Sequence, residues 1–151
     1  IRSKIFSSNI IYIGGGNTAR MMRIFKRNKV NEYLLKAYEK GIILTGLSAG
    51  AMAYFTNGYS DSNRSTNPEA SLCLVKCLNI IPYCFCPHYN EEERKSFDEF
   101  VISKRFNGLA LEDDVALVYI DDEIKGVIKA NFNNEGYYIN NNLKEKINSI
   151  E

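Results

Sequence analysis

The pentapeptide Gly46-Leu47-Ser48-Ala49-Gly50 sets a serine between two glycines, with the apolar run IILTGL (42–47) leading into it and the small-residue run SAGAMAYF (48–55) leading away. A serine at a strand-to-helix turn of this kind carries its hydroxyl above the carboxyl end of a sheet, and the flanking small residues let strand and helix approach. The helix N-terminus beneath it favours a developing oxyanion. The chemistry on offer is nucleophilic attack on a carbonyl. The competing use of the same residues is packing of a tight turn.

A serine nucleophile needs a base, and the chain has one histidine, His88, at the end of the strand-like YCFCPH. A histidine at a strand end can accept the proton of a serine raised from the same edge of a sheet. A carboxylate must then fix the imidazole tautomer and stabilise its charged form. Glu112, which ends GLALE, is the first choice because a strand end positions a side chain better than a long loop. Asp113 and Asp114 lie beside it, and Asp61 is the rival that would reproduce the order nucleophile, acid, base.

Gly14-Gly15-Gly16-Asn17-Thr18-Ala19 fits the dinucleotide-binding spacing G-x-G-x-x-A after a strand and before a helix. The ribose-binding acid should end the next strand about 20 residues on. Glu39 stands at that distance but precedes strand 42–47, whose end is Leu47 and Ser48. Beside a serine nucleophile, the loop is better used to offer a backbone N–H to an oxyanion, together with the amide of Ala49.

The elements that must position these residues alternate. NIIYI (9–13) reads as a strand buried on both faces. A helix capped by Asn17 or Thr18 runs to about Lys26, and another opens at Asn31 and Glu32 and stops at Gly41. Strand 42–47 and a helix over 48–55 follow, then a polar loop to about Ser71, then strand-like runs at 72–77 and 83–88. NEEERKSFDEFVISKRFNG reads as an amphipathic helix, with acids in its first turn. LALE, VALVYID, GVIKANF and GYYIN are short strands with hairpin breaks at Asp121 to Glu123 and Asn133 to Gly136, and the Asn-rich tail (140–148) frays or forms a short surface helix. The pattern predicts an α/β three-layer sandwich with a mostly parallel central sheet and antiparallel strands near the C-terminus.

Composition narrows the classes. The chain of 151 residues is 45% hydrophobic and 25% charged, the make-up of a single domain, residues 1–151. A net charge of +1 with both signs scattered argues against nucleic-acid and membrane partners. With neither an apolar run near the roughly 20 residues of a membrane helix nor a secretory signal, a cytoplasmic location is expected. Cys73, Cys77, Cys84 and Cys86 read as reduced small hydrophobes. Strand alternation would put Cys84, Cys86 and His88 on one face, which leaves a metal or redox site as the alternative, against the unusual C-x3-C and C-x-C spacings. The first residue is Ile1, and a buried-looking strand begins within ten residues, the expectation for a chain starting inside a longer protein.

Together, YIGGGNT, GLSAGA, CPHY and GLALEDDVAL resemble, in order and spacing over residues 10 to about 126, the peptidase E family of serine peptidases, which includes aspartyl dipeptidase and cyanophycinase. The resemblance implies a fold akin to class I glutamine amidotransferases (flavodoxin-like), with Ser-His-Glu in place of Cys-His-Glu. It makes Ser48 the nucleophile, His88 the base and Glu112 the acid, with Gly15, Gly16 and Ala49 forming the oxyanion hole. An amidotransferase itself is disfavoured by Ser48 and by Tyr89-Asn90-Glu91, which lacks the H-x-E of that family. Family members carry further strand and helix units before the glycine loop. The present chain is then a fragment, a remnant, or one copy of a homodimer that covers an exposed sheet edge. The expected function is a serine exopeptidase acting on short peptides such as Asp-X dipeptides. Asn17, Arg20 and Arg64 are the candidate substrate-binding residues, the arginines as partners of an aspartate side chain. Neither metal nor organic cofactor is required by this chemistry. A non-catalytic remnant and a dinucleotide-binding module are the alternatives.

Overall fold

A computed structural model describes residues 1–150. Its contacts cluster into two compact units, Ile1–Ile80 and Ile81–Glu151.

The first unit opens with α1 (Arg2–Phe6), followed by β1 (Ile10–Ile13), α2 (Thr18–Arg27), α3 (Val30–Glu39) and β2 (Ile43–Gly46). Asn17 caps α2, its Oδ1 accepting from the Arg20 N–H at 2.8 Å. α3 ends in a Schellman motif: Gly41 at φ 75° donates to the Tyr38 carbonyl, and Ile42 N–H reaches back to Ala37 O. The chain is thereby delivered into β2, which pairs in parallel with β1, Ile13 opposite Gly46. Then come α4 (Ala49–Met52), β3 (Phe55–Ser60), a 3₁₀ turn (Ser62–Ser65) and β4 (Cys73–Lys76), which pairs antiparallel with β3. Leu34 and Ala37 of α3, Ala49 and Met52 of α4, and Phe55 and Tyr59 of β3 are buried.

Two expectations are corrected here. The helix expected over 48–55 stops at Met52, and part of the expected polar loop is β3. Phe55 and Tyr59 are drawn into the core and the backbone pairs with β4, so tertiary packing overrides a polar local composition. β1 and β2 are not buried on both faces: Ile10, Tyr12 and Ile43 are each about 60% exposed. An apolar run records the wish for cover on both sides, but not whether an element is present to supply it.

The second unit contains β5 (Ile81–Cys86), a 3₁₀ turn (Glu92–Lys95), α5 (Ser96–Lys104), β6 (Gly108–Leu111), β7 (Val115–Ile120), β8 (Glu123–Lys129), β9 (Gly136–Ile139) and β10 (Lys144–Lys146). β5 and β6 are parallel, β9 is antiparallel to β6, and β10 antiparallel to β9. β7 and β8 form a separate hairpin whose two-residue turn has Asp121 and Asp122 at φ 53° and 59°, the left-handed pair a type I′ turn requires. α5 packs on β6 closely enough that a Cβ on Gly108 would lie 2.8 Å from Val101 Cγ2. The expected surface tail is instead β10: Asn140 Oδ1 accepts from the N–H groups of Asn142 and Leu143, turning the chain back onto β9.

The chain is thus α/β as expected, with parallel pairs early in each unit and antiparallel strands toward the C-terminus. Among the described residues, no helix is long and apolar enough to cross a membrane.

Candidate active site

In the first unit the parallel pairing of β1 with β2 brings two carboxyl ends side by side, and Leu47 N–H extends the ladder to Ile13 O at 3.0 Å. The glycine loop leaves one end and Ser48 the other. A Cβ placed on Gly15 would lie 3.7 Å from the Ser48 Cβ, so loop and serine are neighbours. Ser48 has φ 52° and ψ −113°, a backbone conformation side chains rarely adopt and one that persists only when its surroundings fix it.

Two glycines fix it. A Cβ on Gly46 would meet Gly50 C at 2.5 Å, and one on Gly50 would meet Ile13 O at 2.0 Å. Strand β2, helix α4 and the end of β1 therefore touch backbone to backbone, and the turn between them has room for nothing larger. Ser48 is the N-cap of α4, and Gly50 N–H is committed to Leu47 O at 2.8 Å. The amide of Ala49, at the first helical position, has no intrahelical acceptor. An amide in that position can donate to an acceptor outside the helix. Gly16, at φ 139°, continues the loop on the other side.

The glycine loop is anchored by a buried chain of hydroxyls. Ser62 Oγ lies 2.7 Å from Ser60 Oγ, Ser60 Oγ donates to Thr18 Oγ1, and Thr18 Oγ1 donates to Met52 Sδ. Ala19 N–H closes onto Ser62 Oγ at 3.0 Å. Asn17 is part of the same anchor: besides capping α2, it donates through Nδ2 to Ser62 O and Ser65 Oγ. Its polar atoms therefore hold the loop. Arg64 donates through Nε to Ala70 O inside its own loop, while Arg20 is exposed on α2. Asp61 precedes the 3₁₀ turn and is exposed.

In the second unit the same device recurs. Parallel pairing sets Cys86 opposite Ala110, and Tyr89 N–H bonds to Leu111 O at 3.0 Å, so His88 and the acidic run after β6 leave the sheet at one end. His88 stands at φ 54°. Its Nδ1 lies 2.6 Å from Asp113 Oδ1. An ionised carboxylate only accepts, so Nδ1 is the donor in this pair. The bond from His88 holds the Asp113 carboxyl below the usual carboxylate range, aided by Asn90 and by the Arg94 charge.

The carboxylate on the His88 Nδ1 is therefore Asp113, where Glu112 was the first choice from sequence. The reason is long-range. Glu112 N–H donates to Glu135 O, and Glu112 Oε2 accepts from the Glu135 N–H, so this residue is bound to the segment entering β9. Its other oxygen lies 3.9 Å from Lys95 Nζ. Asp114, at φ 60°, completes the turn after Asp113. Sequence reading also passed over Asn90, whose side chain bonds both the carboxylate and the backbone of Asp113. The only signal available was its position two residues after the histidine.

All four cysteines are free thiols, with Cys84 and Cys86 buried. Among the described residues, no group of three or more His, Cys, Asp or Glu is placed to hold a metal ion.

Comparison with known proteins gives the family and the fold. Residues 1–127 match the model of peptidase family S51. The chain is 31% identical over 140 residues to the uncharacterized peptidase YgaJ of Bacillus subtilis, covering 91% of this chain and 58% of that protein. It is 30% identical over 89 residues to peptidase E of Streptomyces coelicolor, covering 58% of this chain and 35% of the relative. The chain thus spans little more than half of YgaJ's length. Among solved structures, a peptidase from an acI-B1 actinobacterium superposes with a TM-score of 0.64 at 14% identity, over 99% of this chain and 61% of that one. A candidate peptidase E protein from Listeria monocytogenes gives 0.53 at 18% identity, over 99% and 64%. Those two likenesses establish the fold, and the match over residues 1–127 extends it to the sequence: the chain belongs to peptidase family S51.

Proposed function

We propose that this chain carries the catalytic apparatus of a serine exopeptidase that hydrolyses short peptides through an acyl-enzyme. The observation that carries the reading is the turn at Ser48, held at φ 52° and ψ −113° between two glycines whose replacement would collide with backbone. The remainder is chemistry. Ser48 Oγ attacks the scissile carbonyl while His88 Nε2 takes its proton, and Asp113 holds the imidazole in the tautomer that leaves Nε2 basic. Amides of Gly15, Gly16 and Ala49 receive the negative charge on the carbonyl oxygen. The tetrahedral adduct collapses as the proton passes from His88 to the leaving amine. Water, deprotonated by the same nitrogen, then releases the acid and restores Ser48.

By the family resemblance the substrates are dipeptides of the Asp-X type. The test is hydrolysis of an Asp-X panel alongside Ala-X and Glu-X peptides, with Ser48→Ala and His88→Ala as controls. Turnover of Asp-X by the wild type, lost in both variants, is expected. Equal inactivity of all three proteins identifies a non-catalytic remnant. Cleavage that survives Ser48→Ala removes the serine mechanism.

A further inference from the structure

We propose that Asn90 is a positioning residue that locks the Asp113 carboxylate against His88, so that the working unit after β5 and β6 is His88–Asp113–Asn90. The proposal deepens the reading of His88 as the base and rests on it. The geometry is reciprocal. Asn90 Nδ2 donates to Asp113 Oδ2 at 3.0 Å, while the Asp113 N–H donates to Asn90 Oδ1 at 3.0 Å. One amide thereby grips Asp113 at both its side chain and its backbone. The other carboxylate oxygen, Oδ1, is left to face His88 Nδ1 at 2.6 Å.

The grip is needed because Asp113 lies beyond the end of β6, where no ladder holds it, and its side chain is 45% exposed. An exposed aspartate is otherwise free to choose among staggered rotamers and to trade its partner for water. Asn134 fixes the backbone from the other side, its Nδ2 donating to Asp113 O at 2.8 Å, but it does not reach the carboxylate in that bond. Arg94 contributes charge. Asn90 sets, by hydrogen bonds, both where Asp113 sits and which of its oxygens faces the imidazole.

Outer partners that orient the ligands of metal sites typically contribute about 10- to 100-fold, and an effect of that order is expected for Asn90. Asn90→Ala is therefore expected to lower kcat by roughly that factor with KM little changed, because the amide is engaged with Asp113 at both its carboxylate and its backbone. Asn90→Asp keeps the shape and the acceptor for Asp113 N–H but loses the donor, and should resemble Asn90→Ala. Asn90→Gln, which keeps donor and acceptor, should recover part of the loss.

The deciding measurement does not depend on turnover. His88 is the chain's one histidine, so long-range 15N NMR of labelled protein reports its tautomer without assignment. The wild type is expected to show the Nδ1–H tautomer with a low-field Nδ1 proton. Asp113→Ala should abolish that signature, and Asn90→Ala should weaken it toward a tautomer mixture, with a folded amide spectrum as the check on both. A full wild-type signature in Asn90→Ala, with Asp113→Ala altered, overturns the proposal and leaves the His88–Asp113 pair intact. If the signature responds to Asn90 while no peptide is hydrolysed, Asn90 still positions Asp113 and the peptidase reading is what fails.

Discussion

Replacing Gly50 by alanine adds a single methyl group, yet the structure gives it nowhere to go. The new Cβ would lie 2.0 Å from Ile13 O, 2.6 Å from Ile13 C and 2.7 Å from Gly14 O, all backbone atoms that no side-chain rotation can move aside. An ordinary contact is about 3.5 Å, so α4 and the end of β1 must separate by roughly 1.5 Å. Overpacking of that kind costs about 1–3 kcal/mol. The catalytic cost should be larger in proportion, because Ser48 lies two residues upstream and a displacement of about 1 Å can lower a rate about 100-fold. Urea unfolding measures the first effect, and the rate at which a fluorophosphonate modifies Ser48 under native conditions measures the second. Gly14→Ala is the control for stability, since nothing lies within 4 Å of its Cβ and its φ is ordinary. An unchanged unfolding midpoint and unchanged Ser48 reactivity in Gly50→Ala would refute the reasoning that backbone contact between α4 and β1 sets the turn.

Other outcomes follow from the electrostatics and the turns. Bonds from Lys129 and Lys146 hold the Glu135 carboxyl below its usual range, so its stabilising contribution is present at neutral pH and fades as pH falls through that lowered value. Glu135→Gln should therefore be less stable than wild type at pH 7 and converge with it in acid, as read by denaturant titrations across pH; a constant difference down to pH 2 contradicts this. Burial pushes the Cys86 thiol up to about 12, so iodoacetamide should modify it at pH 7.5 only after unfolding, and rapid native labelling located by mass spectrometry would speak against a buried, protonated thiol. Asp122 holds φ 59° in the β7–β8 turn, a conformation that costs a side chain about 1 kcal/mol or more, so Asp122→Gly should raise Tm. A lowered Tm would show that its side chain stabilises the turn.

What the sequence made legible was what local spacing controls. Gly46, Ser48 and Gly50 lie within five residues, and the steric needs of one tight turn are written in that interval. His88 could be read as a strand-end residue from YCFCPH for the same reason. Which carboxylate meets the His88 Nδ1 could not be read locally. Glu112 and Asp113 are adjacent and chemically alike, and what separates them is the pairing of Glu112 with Glu135, 23 residues on. β3 was hidden because its two core aromatics stand among Thr, Asn, Gly and Ser, and the strand becomes favourable only when β4 is there to pair with it. Asn17 was legible as a cap, but its second function, reaching Ser62 and Ser65, depends on a turn 45 residues away. The exposed face of β1 and β2 lay outside what a hydrophobic pattern encodes, since pattern specifies a preference and packing decides whether it is met.

The nucleophilic role of Ser48 is tested most directly by mapping the adduct formed when the native protein is exposed to a fluorophosphonate. One adduct per chain on Ser48 is expected, absent in Ser48→Ala, strongly slowed in His88→Ala, and lost on urea unfolding. Intact, folded protein in which Ser48 stays unmodified, or reacts no faster than the other serines, would contradict it.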